Sequence, residues 1–555
     1  MAVVHVNGKA VDIGTERLNL IQAALKGGVF IPHYCWHPAL TVVASCRMCL
    51  VEVGEKKPDG SVAMQPKVVP ACQTPAKDGT AVVTNSAKAR QAQQQTLEDL
   101  LLNHPLDCPV CDKAGECLLQ DYSYHFGRSQ SRMIDQKNQP PNKPHIGEHI
   151  TLFTDRCIMC SRCVRFTREV SGTAELHVVN RGDHSEIDIF PGEPCNNKLA
   201  GNVVDLCPVG ALGNKDFLYT QRVWFLKDQK SVCPDCSTGC SIYVDSNKDI
   251  VYRLRPRENP QAQGFFMCDE GRFDYPYIND RRRLTQPLVR QGAAQVPAGY
   301  EQVVPALRQE LREAAGRDGS AVAAVLSPFL TSEEAYLLAK FFKGLSGEVR
   351  LGLGPVPRVG EDDTYPKDRR GRPVQPVKFT IRAEKCPNRR GVEEILRHYQ
   401  GDVVGFGDVL RDAAAGRVQA LYLTAGYSPW AGGWISPEEA EALRGVPLLV
   451  VQDLFASPAS AAAKYVLPAG SFAEKEGTFV NHAGLAQALR WAVRPPRGGR
   501  TDGQVFLDLA ERRGLWHAAT LRAELAAEVP YFAPLASGEL GDDGVRLEAR
   551  EAAQS

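Results

Sequence analysis

At 555 residues the chain is too long for a single hydrophobic core, and two or three domains are expected. Its 65 basic and 65 acidic residues cancel, which excludes a general nucleic-acid or anionic-membrane binder and points to proteins as partners. No run of about 18 apolar residues occurs, and Met1-Ala-Val-Val-His5 lacks a basic segment leading into an apolar core, so neither a membrane-spanning helix nor a secretory signal is expected. The 17 cysteines cluster at ligand spacings, which fits metal sites in a reducing cytosol better than disulfides. Sixteen precede residue 269 and only Cys386 follows, so a boundary is expected near 280.

Val4 and Val6 alternate with polar neighbours up to Asn7-Gly8, a type I′ turn signal, and Val11 and Ile13 resume the alternation. Residues 2–13 therefore predict a hairpin. Thr15 is the expected cap of a helix through Lys26, closed by Gly27-Gly28. A strand pair, a helix and a cysteine-bearing loop is the order of a small β-grasp ferredoxin, here residues 1–85. Its loop carries Cys35, Cys46, Cys49 and Cys72 in C-x10-C-x2-C-x22-C spacing. The first gap is longer than in plant-type ferredoxins, but the central C-x2-C and distant fourth cysteine favour a [2Fe-2S] cluster. Four thiolates also suit structural zinc, although a zinc ribbon pairs two C-x2-C knuckles and one is present. Gly54 to Lys67 reads as an exposed hairpin tip.

Ser86 opens an Ala- and Gln-rich helical segment, Ala87 to Asn103, ended by His104-Pro105. Cys108, Cys111 and Cys117 follow, and with His104 they form an H-x3-C-x2-C-x5-C set compact enough for one cubane. His104 alone reads as a helix-end residue. Three cysteines with no fourth nearby leave the last corner to His104 or to an exchangeable ligand. A neutral imidazole in place of a thiolate raises a cluster's potential. This segment is placed at 86–145.

Residues 146–225 read as a ferredoxin-like [4Fe-4S] domain. Cys157, Cys160 and Cys163 have the C-x2-C-x2-C spacing that grips three corners of a cluster, and Cys207-Pro208 supplies the fourth as in bacterial ferredoxins. The second run of a two-cluster ferredoxin is missing, which leaves Cys195 as a thiol without a role. Cys233, Cys236, Cys240 and Cys268 form a last set, C-x2-C-x3-C-x27-C, in a small domain at 226–285. Here too zinc is the competing reading. Phe265, Phe266, Phe273, Tyr275 and Tyr277 could shield a cluster or be ordinary core.

Taken together, Pro32 to Leu40, Ser45 to Cys49, His104 to Cys111, Cys157 to Arg165 and Cys207 to Leu212 resemble the G-subunit family of NADH-quinone oxidoreductase, the respiratory complex I 75 kDa iron-sulfur subunit. The resemblance covers residues 1 to about 280. It implies one [2Fe-2S] and three [4Fe-4S] clusters, and an electron-transfer subunit of a proton-pumping complex on the cytoplasmic side of a bacterial inner membrane. Electrons would enter from the flavin-bearing NADH-oxidising subunit and leave toward subunits nearer the quinone. It further implies that the fourth set lies off the main path and serves stability. Iron-iron hydrogenases resemble the same N-terminal arrangement, but one cysteine after residue 268 cannot build their hydrogen-activating centre. NAD-linked molybdenum formate dehydrogenases are the alternative, because they join a similar N-terminal region to a large second half.

Residues 286–555 alternate short apolar runs with helical patterns. Ala321 to Leu326, Ala420 to Leu423 and Val446 to Val451 predict buried strands, and Ser332 to Leu345, Pro437 to Leu443 and Asp502 to Arg513 predict helices. Such alternation predicts a helix-covered parallel sheet. Gly352-Leu-Gly354 is read as a loop. Asp269 to Arg272 and Phe472 to Asn481 resemble the molybdopterin oxidoreductase superfamily, in shortened form and with no molybdenum expected. The basic, proline-rich stretch Lys367 to Arg390 predicts a solvated loop, and Gly538 to Ser555 a frayed tail.

Overall fold

The computed structural model describes residues 2–57, 59–429, 433–537 and 540–548. The chain forms two compact units, Met1–Phe225 with Tyr365–Lys378, and Leu226–Thr364 with Phe379–Ser555. The divisions expected at 85, 145 and 285 fall inside these units.

The first unit begins with the antiparallel strands Ala2–Val6 and Lys9–Gly14. Asn7 and Gly8, with φ of 50° and 85°, are the two left-handed residues that a type I′ turn requires. Ala2–Val6 also pairs in parallel with Thr80–Val83, which pairs antiparallel with Leu50–Lys56. The buried face of this sheet, Val4, Val6, Val11, Ile13, Val51, Val53 and Val82, packs on Leu20, Ile21 and Ala24. Each such aliphatic side chain contributes about 1.5–3 kcal/mol. The helix on this face runs Leu20–Lys26, and its cap is Asn19, not Thr15. Residues 15–18 lead out of the hairpin, and the reciprocal Asn19–Gln22 bonds of 3.0 and 3.1 Å form a capping box. Leu50–Lys56 turns back into the exposed strand Val62–Met64, the expected hairpin tip; Pro58 lies outside the described residues.

Downstream come the helices Ala87–Leu101, capped by Ser86, and Leu118–Phe126. Two further ladders pair Ile150–Leu152 with Leu212–Asn214 and Leu176–Val179 with Glu186–Ile189. The stretch Lys367 to Arg390 is only partly a solvated loop. Residues 369–378 are exposed, whereas Phe379, Ile381, Lys385 and Cys386 are buried. Backbone bonds from Val359 N to Ala383 O (2.9 Å) and from Ser237 N to Glu384 O (2.9 Å) fix the latter part in the second unit.

The second unit opens with a meander of Lys227–Val232, Ser241–Asn247 and Ile250–Pro256. Its main sheet has eight strands, 294–297, 288–291, 465–468, 448–453, 420–424, 322–326, 350–353 and 404–405 in spatial order. The last six are parallel. Val322, Ala324 and Leu326 face one hydrophobic core, Ala323 and Val325 the other. Both faces being covered explains the unbroken apolar runs. Gly352 lies in the strand Arg350–Leu353 and not in a loop. Its missing side chain is what lets Val409 pack there, since a Cβ would lie 2.9 Å from Val409 Cγ2. Near the C-terminus Val545–Arg546 pairs with Leu485–Leu489, so part of the expected frayed tail is a strand. Residues 538–539 and 549–555 lie outside the described residues. Among the described residues no helix is long and apolar enough to cross a membrane.

Candidate metal centres

Three of the four sets lie in the first unit. Cys35, Cys49 and Cys72 are buried and Cys46 is half-buried. Their thiols hydrogen-bond one another, Cys35 with Cys46 and Cys72, and Cys49 with Cys72. The loop closes through two non-glycine residues at positive φ, Ala44 (51°) and Arg47 (56°), a conformation sustained only where surroundings fix it. The Cys35 amide donates to Cys46 Sγ at 3.5 Å.

In the second set Cys111 and Cys117 are buried and Cys108 is exposed. His104 Nδ1 is buried without a hydrogen-bond partner. Burial, then Lys137 and Arg156, lower the imidazole to about 4, so it is neutral at physiological pH, the form that ligates iron. The Arg222 guanidinium donates to the carbonyls of Cys108 (3.0 Å) and Cys111 (3.2 Å). A Cβ on Gly210 would lie 2.1 Å from Cys111 Sγ, so only glycine leaves room for that thiol.

In the third set Cys157, Cys160, Cys163 and Cys207 line one small cavity with Ile158, Pro208 and Leu212. Met159 and Ser161, at φ of 51° and 57°, turn the chain between the cysteines. Burial raises the Cys157 thiol to about 12 and Cys160 to about 11. Thiols so desolvated become thiolates only when a cation takes the proton's place. Four cysteines lining one cavity fit the four corners of a cluster.

Short connections join these sets. Leu118 N, beside Cys117, donates to Pro208 O, beside Cys207, at 3.0 Å. Arg165 Nη2 donates to the carbonyls of both Cys35 and Cys160. Arg162 reaches Trp36 O at 2.6 Å and Leu206 O at 3.2 Å. The third set thus shares backbone partners with the first and with the second.

The fourth set lies in the second unit, with Cys233, Cys236, Cys240 and Cys268 all buried. Cys233 N donates to Cys240 O at 2.8 Å and Gly271 N to Cys268 Sγ at 3.4 Å. A Cβ on Gly271 would lie 2.7 Å from Cys233 Sγ and 3.6 Å from Cys268 Sγ. The buried Lys385 ammonium, paired with Glu270, attracts negative charge on Cys236 and Cys268. Among the aromatic residues singled out, Phe266, Tyr275 and Tyr277 are buried. Cys195 and Cys386 are buried and belong to none of the four sets.

Comparison with known proteins gives these sets a context. Residues 3–87 match a 2Fe-2S iron-sulfur cluster binding domain, and residues 93–132 the NADH-ubiquinone oxidoreductase-G iron-sulfur binding region. Residues 147–213 match the ferredoxin-like domain of NADH-quinone oxidoreductase subunit 3. Residues 226–280 and 415–512 match the Fe4S4 domain of molybdopterin oxidoreductases and molybdopterin oxidoreductase. The NADH-quinone oxidoreductase G subunit of Rickettsia bellii is 32% identical over 62% of this chain and 48% of its own length. The G subunit of Streptomyces coelicolor is 34% identical over 61% of this chain and 39% of its own. The NADH-ubiquinone oxidoreductase 75 kDa subunit of Reclinomonas americana is 33% identical over 65% and 51%.

The chain is a relative of the NADH-quinone oxidoreductase G subunits. It spans about half the length of the curated relatives it matches, and it carries iron-sulfur-binding domains. Several residues that shape the four sites have no cysteine signature: Arg162, Arg165, Gly210, Arg222, Gly271 and Lys385. Arg162 and Arg165 could have been suspected, since a charge set between or just after ligands three residues apart has to be buried with them. Gly210 and Gly271 lie within the Cys207 to Leu212 and Asp269 to Arg272 stretches, but the sequence does not show the thiols that pack against them.

Proposed function

We propose that this chain is the iron-sulfur electron-transfer subunit of a proton-pumping NADH-quinone oxidoreductase. It takes electrons from the flavin-bearing, NADH-oxidising subunit and passes them toward the subunits nearer the quinone, at the cytoplasmic face of a bacterial inner membrane. In this reading Cys35, Cys46, Cys49 and Cys72 hold a [2Fe-2S] cluster. His104, Cys108, Cys111 and Cys117 hold one [4Fe-4S] cluster, Cys157, Cys160, Cys163 and Cys207 a second, and Cys233, Cys236, Cys240 and Cys268 a third. Bound clusters supply reversible one-electron uptake. The protein orients ligands, excludes water and places charge around them.

The observation that carries the reading is the third set's shared backbone contacts with both neighbours: Arg165 between Cys35 and Cys160, and Leu118–Pro208 between the second and third sets. Sites whose ligand loops are tied together by hydrogen bonds suit a relay better than isolated structural zinc. In the second half, Glu474, Lys475, Thr478 and Asn481 of the Phe472 to Asn481 stretch are occupied by internal pairs, which supports a scaffold and not a molybdenum-binding pocket. Low-temperature EPR of the anaerobically purified complex, with iron, sulfide, zinc and molybdenum counts, tests all of this. One [2Fe-2S] and three [4Fe-4S] signals assignable to this chain are expected. Zinc in place of iron, or stoichiometric molybdenum, would sink it.

A further inference from the structure

Arg162 and Arg165 lie in the short helix Arg162–Phe166, on either side of Cys163, and are 7% and 6% exposed. Every hydrogen bond they make, apart from one 3.4 Å contact between Arg165 Nε and Ser161 Oγ, goes to a backbone carbonyl. Arg165 Nη1 donates to Thr41 O at 2.6 Å, and Arg162 Nε is buried with no partner. Among the described residues neither guanidinium pairs with a carboxylate. Two like charges are therefore buried side by side with no direct counter-ion, the Glu169 carboxylate reaching only Thr41 N and Oγ1, an arrangement that favours negative charge elsewhere in the site.

The groups with which both arginines interact are the cysteine sets themselves. Arg162 donates to the carbonyls of Trp36 and Leu206, next in the chain to Cys35 and Cys207, and Arg165 grips the carbonyls of one ligand from each set, Cys35 and Cys160. A thiolate-bound iron-sulfur cluster is anionic, and one-electron reduction makes it more so with no bond made or broken. We infer that Arg162 and Arg165 are a shared positioning pair for the first and third sets, whose fixed positive charge holds the two ligand loops together and favours the reduced state at both. This rests on the iron-sulfur reading of those sets. Carbonyl bonds suit the task, because they orient the guanidinium without neutralising it as a carboxylate would.

The test uses the full chain assembled with its partner subunits, reduced stepwise with dithionite and mediators and followed by EPR. In Arg165→Gln, iron and sulfide should match the unmodified chain. At a fixed solution potential the reduced-to-oxidised ratio at the first and third sets should fall about tenfold, which is about 59 mV for a one-electron centre. The second set's signal should stay in place. Arg165→Lys, which keeps the charge without the fork, should recover most of the drop, and Arg162→Gln should repeat it. Unmoved midpoints with full iron, or equal midpoints in the Gln and Lys variants, would overturn the inference. Iron lost from both Arg165 variants would also overturn it by assigning the side chain to packing; loss in Gln alone, rescued by Lys, supports charge. Absence of iron from the unmodified chain would instead remove the relay reading itself.

Discussion

Replacing Gly210 with alanine places a methyl group where the Cys111 sulfur now lies. The added Cβ would sit 2.1 Å from Cys111 Sγ, with Lys113 Cβ at 3.2 Å behind it. Ordinary contact begins near 3.5 Å, so one of the two must move roughly 1.5 Å. The cysteine loop cannot retreat cheaply, because Arg222 holds the Cys108 and Cys111 carbonyls, and bonds to a charged donor contribute about 1.5–3 kcal/mol each. Overpacking of this kind costs about 1–3 kcal/mol, within what a large unit tolerates. A metal ligand, however, tolerates about 0.2 Å. The fold should therefore survive while the second set loses its cluster. Iron and sulfide assays on the anaerobic complex should show about four irons fewer per chain, with the EPR signals of the first and third sets retained. Gly213→Ala is the matched control, since its Cβ would meet nothing nearer than 3.6 Å. Full iron and an unshifted second-set signal in Gly210→Ala would refute the reasoning.

Four further outcomes can be checked. His104→Cys should retain a cubane but lower its midpoint, because an anionic thiolate replaces an imidazole that burial keeps neutral; an unchanged redox titration would count against ligation. Gly271→Ala should abolish the fourth-set signal alone and leave NADH-driven electron transfer through the remaining sets, as measured by EPR and turnover of the complex. Glu474→Gln breaks a buried pair in which Arg283 meets the carboxylate at 2.5 and 2.6 Å, costing about 3–5 kcal/mol and lowering the melting temperature by roughly 10 °C. Asp453, desolvated although Trp434 Nε1 donates to it at 2.9 Å, has its carboxyl raised to about 6. Because the folded state holds that proton more tightly than the unfolded one, stability falls as pH rises from about 4 to about 6, by roughly 3 kcal/mol. Asp453→Asn should remove this slope, so its melting-temperature advantage should grow across that window and then level off.

The candidate sets stand out in the sequence because metal chemistry fixes residue type and spacing together, and the structure brings Cys157, Cys160, Cys163 and Cys207 of one set around a single cavity. The parallel sheet was legible for a related reason: strands covered on both faces, such as Val322–Leu326, cannot hide their apolar continuity. What escaped was set by contacts with no local trace. Thr15 is as good a capping residue as Asn19; the difference lies in where the hairpin ends and in Gln22 three residues on. Gly352 looks like loop punctuation until Val409 is seen against it. The stretch 379–390 reads as charged and proline-rich like its neighbour. Yet Cys386 is fully buried there, beside Phe329 and Tyr427, and Glu384 O accepts from the fourth-set loop.

The stretch Phe472 to Asn481 resembles a cofactor-binding superfamily, but its polar side chains are turned to support. Glu474 pairs with Arg283, Lys475 with Glu334 at 3.1 Å and Asp502 at 3.6 Å, and Thr478 with Glu333. Asn481 Nδ2 then donates to Thr238 O at 3.0 Å, and His482 N to Ser237 O at 2.9 Å, both in the loop between Cys236 and Cys240. Gly239, at φ +66°, passes so close to Asn481 that a Cβ would lie 2.9 Å from it. The buried charges thus hold one end of the segment in the sheet unit so that the other end can brace a cysteine loop. The stretch that resembles a cofactor-binding superfamily therefore spends its polar side chains on bracing the loop of the fourth set.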